Sequence, residues 1–255
     1  MIPVALTIAG SDPGGGAGLQ ADLKTFFRFG VYGTSAVTLI TVQNSKSAPR
    51  LELLSGQLVA DQIKAVVDDF QPKAAKTGAL GNAEIIAAVA ACHLACPLIV
   101  DPVITSKHGA PLLAADAVSA LRELLLPRAF LVTPNTIEAS VLSGSTTIED
   151  VPGMRRAAER IASLGPTSVL IKGGHLRTID LLYFEGEFTE ISSEWIHTAN
   201  THGTGCTYSA AITALIAAGK ALPEAVAEAH AYVAEAIRTN PGLGSGAGPL
   251  NHWAR

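Results

Sequence analysis

Leu98-Ile99-Val100-Asp101-Pro102 is the stretch that decides how this chain folds. Three apolar residues with no polar alternation read as a strand buried on both faces. The run stops at an acid followed by a proline. The same pattern recurs downstream. Phe130-Leu131-Val132 ends in Thr133-Pro134-Asn135, and Val169-Leu170-Ile171 ends in Lys172-Gly173-Gly174. Segments 4–8 and 74–77 are further short strand candidates, and 35–42 is a β-branched one. Between them lie stretches with helical spacing: 19–28, 58–70, 83–93, 115–125, 205–218 and 222–237. Met154, Ala157, Ala158, Ile161 and Leu164 make one more helix face. Segment 180–191 alternates around Glu185-Gly186 and reads as a β-hairpin. Strands that alternate with helices predict an α/β fold: a mostly parallel central sheet, helices on both faces and a small antiparallel hairpin at one edge. No linker, repeat or composition break divides the chain, so the expectation is a single domain over 1–255.

Composition agrees with a doubly covered sheet. Of 255 residues, 48% are apolar and 16% charged, with 24 glycines and a net charge of −4. Such a chain has ample apolar surface to bury, which excludes disorder. The weak negative charge offers no electrostatic footprint for nucleic acid. Mean hydropathy is +0.33, yet the longest apolar run, 210–218, is too short to span a bilayer. The first nine residues lack a basic region and read as a strand rather than a secretion signal. Cys92 and Cys96 are four apart, and no His/Cys set has zinc spacing. The expectation is a cytoplasmic protein that binds neither nucleic acid nor membrane.

In open α/β sheets, ligands bind beyond the carboxyl ends of the strands. Asp101, Asn135 and Lys172 each follow a predicted strand, and Cys206 opens a helix. Taken singly, each fits ordinary turn or cap chemistry. Together they point to a site. Two glycine-rich loops add to it. The first runs Ala9-Gly10-Ser11-Asp12-Pro13-Gly14-Gly15-Gly16-Ala17-Gly18. Its Gly16-Ala17-Gly18-Leu19-Gln20-Ala21 matches a dinucleotide fingerprint but fails in context: the glycines start several residues after the strand, and Thr41-Val42-Gln43-Asn44 supplies no acid for a ribose. A Walker A loop is absent too, since Gly219-Lys220 is followed by Ala221. The second loop is Asn200-Thr201-His202-Gly203-Thr204-Gly205-Cys206-Thr207. Free N–H groups and the helix dipole at such a start suit a phosphate.

Gly203-Thr204-Gly205-Cys206 resembles the anion-hole motif of the ribokinase-like superfamily, whose sugar kinases carry Asp in the fourth place. Asn135-Thr136-Ile137-Glu138 is similar to its N-x-x-E motif. Taken with Ala9-Gly10-Ser11-Asp12, Gly14 to Lys24, Asp101-Pro102-Val103, Ile171-Lys172-Gly173-Gly174-His175 and Gly248-Pro249-Leu250-Asn251-His252, the chain resembles hydroxymethylpyrimidine/phosphomethylpyrimidine kinases of thiamine biosynthesis along essentially its whole length. The resemblance implies a ribokinase-like fold, ATP and Mg²⁺ as cofactors, a small pyrimidine as substrate and a homodimer. A pyridoxal or pyridoxine kinase of the same fold is the alternative, and a catalytically silent small-molecule binder the third option. An oxidoreductase is a distant fourth.

The implied roles have physical sense. Gly203, Thr204, Gly205 and Cys206 would hold the transferring phosphoryl oxygens, and Lys172 would neutralise phosphate charge. Asp101 and Glu138 would organise Mg²⁺ partly through waters, supported by Asn135. Asp101, Asn135, Lys172 and Thr204 would contact the nucleotide. Gln43 would read the pyrimidine, because a carboxamide matches an exocyclic amine beside a ring nitrogen. Asp22 is the second substrate candidate, with Gly10 and Val42 beside it. The plainer readings are a solvated helix acid for Asp22, a first-turn helix acid for Glu138 and a small apolar residue for Cys206. A thiol at a helix start is expected to be more acidic than usual, although neighbouring phosphates oppose that. A thiol also suits two acceptors, since an Asp would repel a phosphate already bound; Cys206→Asp should therefore slow the second transfer more than the first. His175 and His202 stand beside motifs without a defined role. Lys107-His108-Gly109 is placed in a loop covering the site, and the tail 240–248 near the nucleotide base.

Overall fold

A computed structural model describes residues 2–254 apart from 106–111, 115, 146, 175–178 and 193. Among the described residues, nine strands form one sheet: β1 (Val4–Ser11), β2 (Tyr32–Val42), β3 (Arg50–Leu53), β4 (Ala74–Thr77), β5 (Leu98–Val100), β6 (Leu131–Val132), β7 (Ser168–Ile171), β8 (Ile179–Phe184) and β9 (Glu187–Ser192). Their order across the sheet is β3-β2-β1-β4-β5-β6-β7-β8-β9. The central pairs from β2 to β7 are parallel, and β3, β8 and β9 are antiparallel additions. The hairpin at 180–191 is therefore present, its turn made by Glu185 and Gly186 at positive φ. The antiparallel strand at the other edge was not expected. Arg50-Leu51-Glu52-Leu53 is short and half charged, and it is a strand because β2 runs long enough to offer it a partner.

Eight helices among the described residues cover the sheet: α1 (Gly18–Arg28), α2 (Gly56–Phe70), α3 (Ala83–Ala91), α4 (Ala117–Ala120), α5 (Thr136–Ser143), α6 (Val151–Ala162), α7 (Thr204–Ala217) and α8 (Leu222–Arg238). The expected helix at 115–125 is regular only over α4. It continues as a wide turn over Leu121–Leu125 and a tight one over Leu126–Arg128, where Pro127 removes a donor. One core joins the sheet to α2 through α6 (Val59, Ile85, Leu142, Ile161), and the other joins it to α1, α7 and α8 (Phe26, Ile212, Val226).

Strand alternation sorts the polar residues between these layers. In β4, Ala74 packs toward α7 and Ala75 toward the opposite layer, so Lys76 returns to the α7 side. Leu98 and Val100 face away from α7 and Ile99 faces it, which turns Asp101 toward α7. The same count in β7 turns Lys172 that way. Because β1 feeds β2 on one side while β4 joins it on the other, the sheet's switch point lies between β1 and β4. The first glycine loop leaves β1 there.

Candidate active site

A cavity of about 740 Å³ opens beyond the carboxyl ends of the strands. Gly10, Gln43, Asp101, Asn135, Glu138, Lys172, Gly203, Thr204, Gly205 and Cys206 all line it. Residues from opposite ends of the chain thus meet at the strand ends, as expected.

The two glycine loops build its floor by touching. Gly18 starts α1 at φ +56°, and a Cβ there would lie 2.3 Å from the Gly10 carbonyl oxygen. Gly203 precedes α7 at φ +84°, and a Cβ there would lie 1.8 Å from the Gly16 carbonyl oxygen. Only glycine permits either approach. Asp12 ties the first loop together. Its Oδ1 accepts from Gly14 N–H at 2.9 Å, and its Oδ2 from Gly16 and Ala17 N–H at 3.1 and 2.9 Å. His202 Nε2 lies 2.8 Å from the same Oδ2 and 3.1 Å from Gln43 Nε2. Burial opposes ionisation of Asp12, but His202 and the backbone N–H groups outweigh it and hold the carboxyl below its ordinary range. His202 therefore joins the first loop to the residue expected to read the substrate. Sequence reading assigned Asp12 no role; an Asp placed just before Pro13 and three glycines, where its side chain can accept from the N–H groups that follow, was the available signal.

Lys172 and Asp101 form an ion pair on the cavity wall. Lys172 Nζ donates to Asp101 Oδ1 at 2.9 Å, Thr133 Oγ to the same oxygen at 3.2 Å, and Ser209 Oγ to Oδ2 at 3.3 Å. Burial raises the Asp101 pKa, yet Lys172 and then Lys76 overcome it, and the carboxyl stays below its usual value. Gly205 lays its backbone against this pair: a Cβ there would lie 3.1 Å from Lys172 Nζ. The first N–H groups of α7 have no intrahelical acceptors, so the helix start and the ammonium face one space.

Asn135 and Glu138 form a capping box on α5. Asn135 N–H donates to Glu138 Oε2 at 2.8 Å, and Glu138 N–H to Asn135 Oδ1 at 2.9 Å. Asn135 spends its acceptor on the cap, which aims Glu138. Burial first, with Asp101 adding to it, pushes the Glu138 carboxyl up to about 7.

Three expectations need correction. Asp22 is neither solvated nor at the cavity: it is fully buried, with Oδ2 accepting from Thr7 Oγ at 2.6 Å and Oδ1 from Lys76 Nζ at 2.9 Å. Val42 is not on the cavity either. Alternation turns Thr41 and Gln43 inward and leaves Val42 55% exposed on the outer face. Cys206 is not acidified by its helix start. Burial pushes the thiol up to about 11, against the opposing pull of Lys76.

A third polar cluster escaped sequence reading. Asp180 Oδ1 accepts from Gly173 N–H at 2.9 Å, its Oδ2 lies 3.7 Å from His230 Nε2, and the Tyr208 ring stands 6.0 Å from that imidazole. All three line the cavity beside Val233 and Ile237 of α8. An acid inside the apolar run Ile179-Asp180-Leu181-Leu182 was the available signal. The tail 240–248 follows α8. It packs on the loop after β2, with Ala247 N–H donating to the Ser45 carbonyl at 2.8 Å, and His202 N–H donates to the Gly248 carbonyl at 3.1 Å. His175 and Lys107-His108-Gly109 lie outside the described residues.

Comparison with known proteins matches this architecture. Residues 12–251 match the family model described as phosphomethylpyrimidine kinase. A hydroxymethylpyrimidine/phosphomethylpyrimidine kinase of Bacillus subtilis is 44% identical, over 98% of this chain and 94% of its own. Among solved structures, a phosphomethylpyrimidine kinase from Clostridium difficile superposes with a TM-score of 0.82 at 42% identity, over 92% of this chain and 99% of that one. A pyridoxal kinase from Staphylococcus aureus in complex with AMP-PCP superposes with a TM-score of 0.91 at 36% identity, over 100% and 94%.

Proposed function

The chain belongs to the phosphomethylpyrimidine kinase family, and from that premise we propose that residues 1–255 act as one catalytic domain, an ATP-dependent phosphotransferase of thiamine biosynthesis. It phosphorylates the hydroxymethyl group of 4-amino-5-hydroxymethyl-2-methylpyrimidine and then the resulting monophosphate. One observation carries this: Lys172, Asp101 and the start of α7 converge in a cavity that also presents Gln43.

Phosphoryl transfer asks mainly for positioning and charge neutralisation. Lys172 supplies a fixed cation, and the Gly203–Cys206 backbone supplies N–H donors for the oxygens of the moving phosphoryl. Gln43 offers one acceptor and two donors to the aminopyrimidine edge. Asp101 and Glu138 suit a hydrated Mg²⁺, a hard cation that takes oxygen donors and keeps several waters. Asp101 Oδ1 already accepts from Lys172 and Thr133, while Oδ2 accepts from Ser209. A remaining lone pair on Oδ2 is better used through water than by direct ligation. When bound, the ion would screen phosphate charge beside Lys172.

The Staphylococcus aureus neighbour makes pyridoxal the second candidate substrate. Incubation with ATP, Mg²⁺ and hydroxymethylpyrimidine should give mono- and diphosphate products by mass, with pyridoxal turned over at lower kcat/KM. No product from the pyrimidine overturns the proposal. A cytoplasmic location is supported by free Cys92, Cys96 and Cys206 and by the absence, among the described residues, of a helix long and apolar enough to cross a membrane. Exposed Ile40 and Val42 on the outer face of β2 support a homodimer, which sedimentation tests.

A further inference from the structure

Lys76 occupies the third place of a four-residue strand at the centre of the sheet, opposite Thr7 of β1 and Ile99 of β5. Its side chain and that of Asp22 are both 0% exposed, and the two are 2.9 Å apart. An ion pair in such a place is costly, because the desolvation of two charges commonly exceeds their attraction. A leucine and a methionine would fill the same space at a lower cost. The pair therefore calls for a role beyond stability.

Its orientation suggests one. Asp22 points back to α1 and β1, where Thr7 holds its second oxygen. Lys76 Nζ lies behind the cavity wall: it is 3.7 Å from the place a Cβ would take on Gly78, which lines the cavity. Cys206 stands at the start of α7, on the same side of the sheet. β4 and α1 both pack against α7, so Lys76 and the sulfur share one buried layer, where the lysine's charge and the Gly18 N–H favour the thiolate against the burial that opposes it. Lys172, from the end of β7, is a second cation within reach. The pair is thus a fixed dipole with its positive end beneath the reaction centre.

We propose that Lys76, kept charged by Asp22, is a positioning residue that stabilises negative charge on Cys206 Sγ while the acceptor hydroxyl is phosphorylated. This rests on the reading that Cys206 meets that hydroxyl. In the step, the hydroxyl oxygen bonds to the γ-phosphorus and the bond from that phosphorus to the departing ADP oxygen breaks. The hydroxyl proton passes to the thiolate sulfur, and the thiol later returns it to water. Burial makes the thiolate scarce, so the rate depends on whatever favours it, and Lys76 does. The second acceptor is a phosphate, already ionised and without a proton to give. Lys76 therefore matters to the first transfer and little to the second.

The test uses Asp22→Asn/Lys76→Met, which removes both charges, so that neither is left buried alone, and keeps an acceptor for Thr7. In a Cys92→Ser/Cys96→Ser background, alkylation of Cys206 by iodoacetamide at pH 8 is followed by intact mass. The variant should react about tenfold more slowly, as one unit of thiol pKa implies. Its kcat for the hydroxymethyl acceptor should fall by a similar factor at unchanged KM, and its kcat for the monophosphate should stay within about threefold. Unchanged alkylation, or equal losses on both acceptors, overturns the proposal. If thermal melting shows the variant unfolded, the wholly apolar Thr7→Val/Asp22→Leu/Lys76→Met protein takes its place. Alkylation needs no turnover, so a wild-type protein that makes no phosphorylated pyrimidine would refute the functional reading and leave the role of Lys76 to the thiol measurement.

Discussion

Two lysine–aspartate pairs stand on the α7 side of this sheet, each 2.9 Å long. Lys172–Asp101 joins the ends of β7 and β5, and its lysine keeps 14% of its side chain exposed to the cavity. Lys76–Asp22 sits one layer deeper, sealed between β4 and α1. The chemistry is the same and the depth differs. A pair at a strand end can give its charge to a ligand. A pair within the strand can act only through the field it sets up and through the stability it costs or lends.

The largest expected effect tests the deeper pair. Asp22→Ala leaves Lys76 buried without its partner and should cost about 3–5 kcal/mol of folding stability, read by urea denaturation. A loss under about 1 kcal/mol, the size expected of an exposed pair, would mean that water reaches Lys76 and that the two pairs do not differ in depth. Lys172→Met should do the reverse. It removes the cation from the proposed reaction centre and should lower kcat by about 10²–10³-fold, with a smaller stability loss because Thr133 and Ser209 still donate to Asp101. If kcat falls less than tenfold, the cavity pair is structural and the comparison collapses.

Glu138 sharpens the contrast from the side of Asp101. Its carboxyl is pushed up to about 7 in the folded protein, against about 4.3 when unfolded. The folded state therefore holds the proton more tightly, and stability declines as pH rises between those values. The decline is on the order of 3 kcal/mol in the absence of a cation. Glu138→Gln should flatten that part of the pH–stability profile; an equally steep profile in the variant would assign the titration to another group, Asp180 first. The smallest effect is a control that touches neither pair. Gln43→Ala should lower kcat/KM for the aminopyrimidine by about tenfold, the size of one lost hydrogen bond to a polar substrate edge, and leave stability unchanged. A comparable loss with pyridoxal would show that Gln43 shapes the cavity without reading the amine.

Legibility followed the kind of signal each residue carried. Asp101, Asn135 and Lys172 were visible because an apolar run that stops at a polar residue marks a strand end, and strand ends converge. Asp22 was misplaced because helical spacing says which residues share a face and not what that face meets. It meets Lys76, 54 positions away. Cys206 was expected to be acidic from its helix start, a local feature; its depth, a tertiary one, reversed the direction. Asp180 went unread and His230 passed as an ordinary histidine because each finds its partner on another element, the hairpin or α8. Val42 failed by a single place in the strand's alternation.

By itself, the order of apolar runs, glycine loops and polar strand ends determined that this chain builds a doubly covered α/β sheet with its candidate site at the carboxyl edge. Those features are local in the chain, and each follows from the period of a strand or helix or from the freedom of a glycine. Only the tertiary structure decided which charges face the cavity and which are sealed beneath it. Ionisation and role depend on distance to water and to other charges, and those distances are set by packing between elements far apart in sequence.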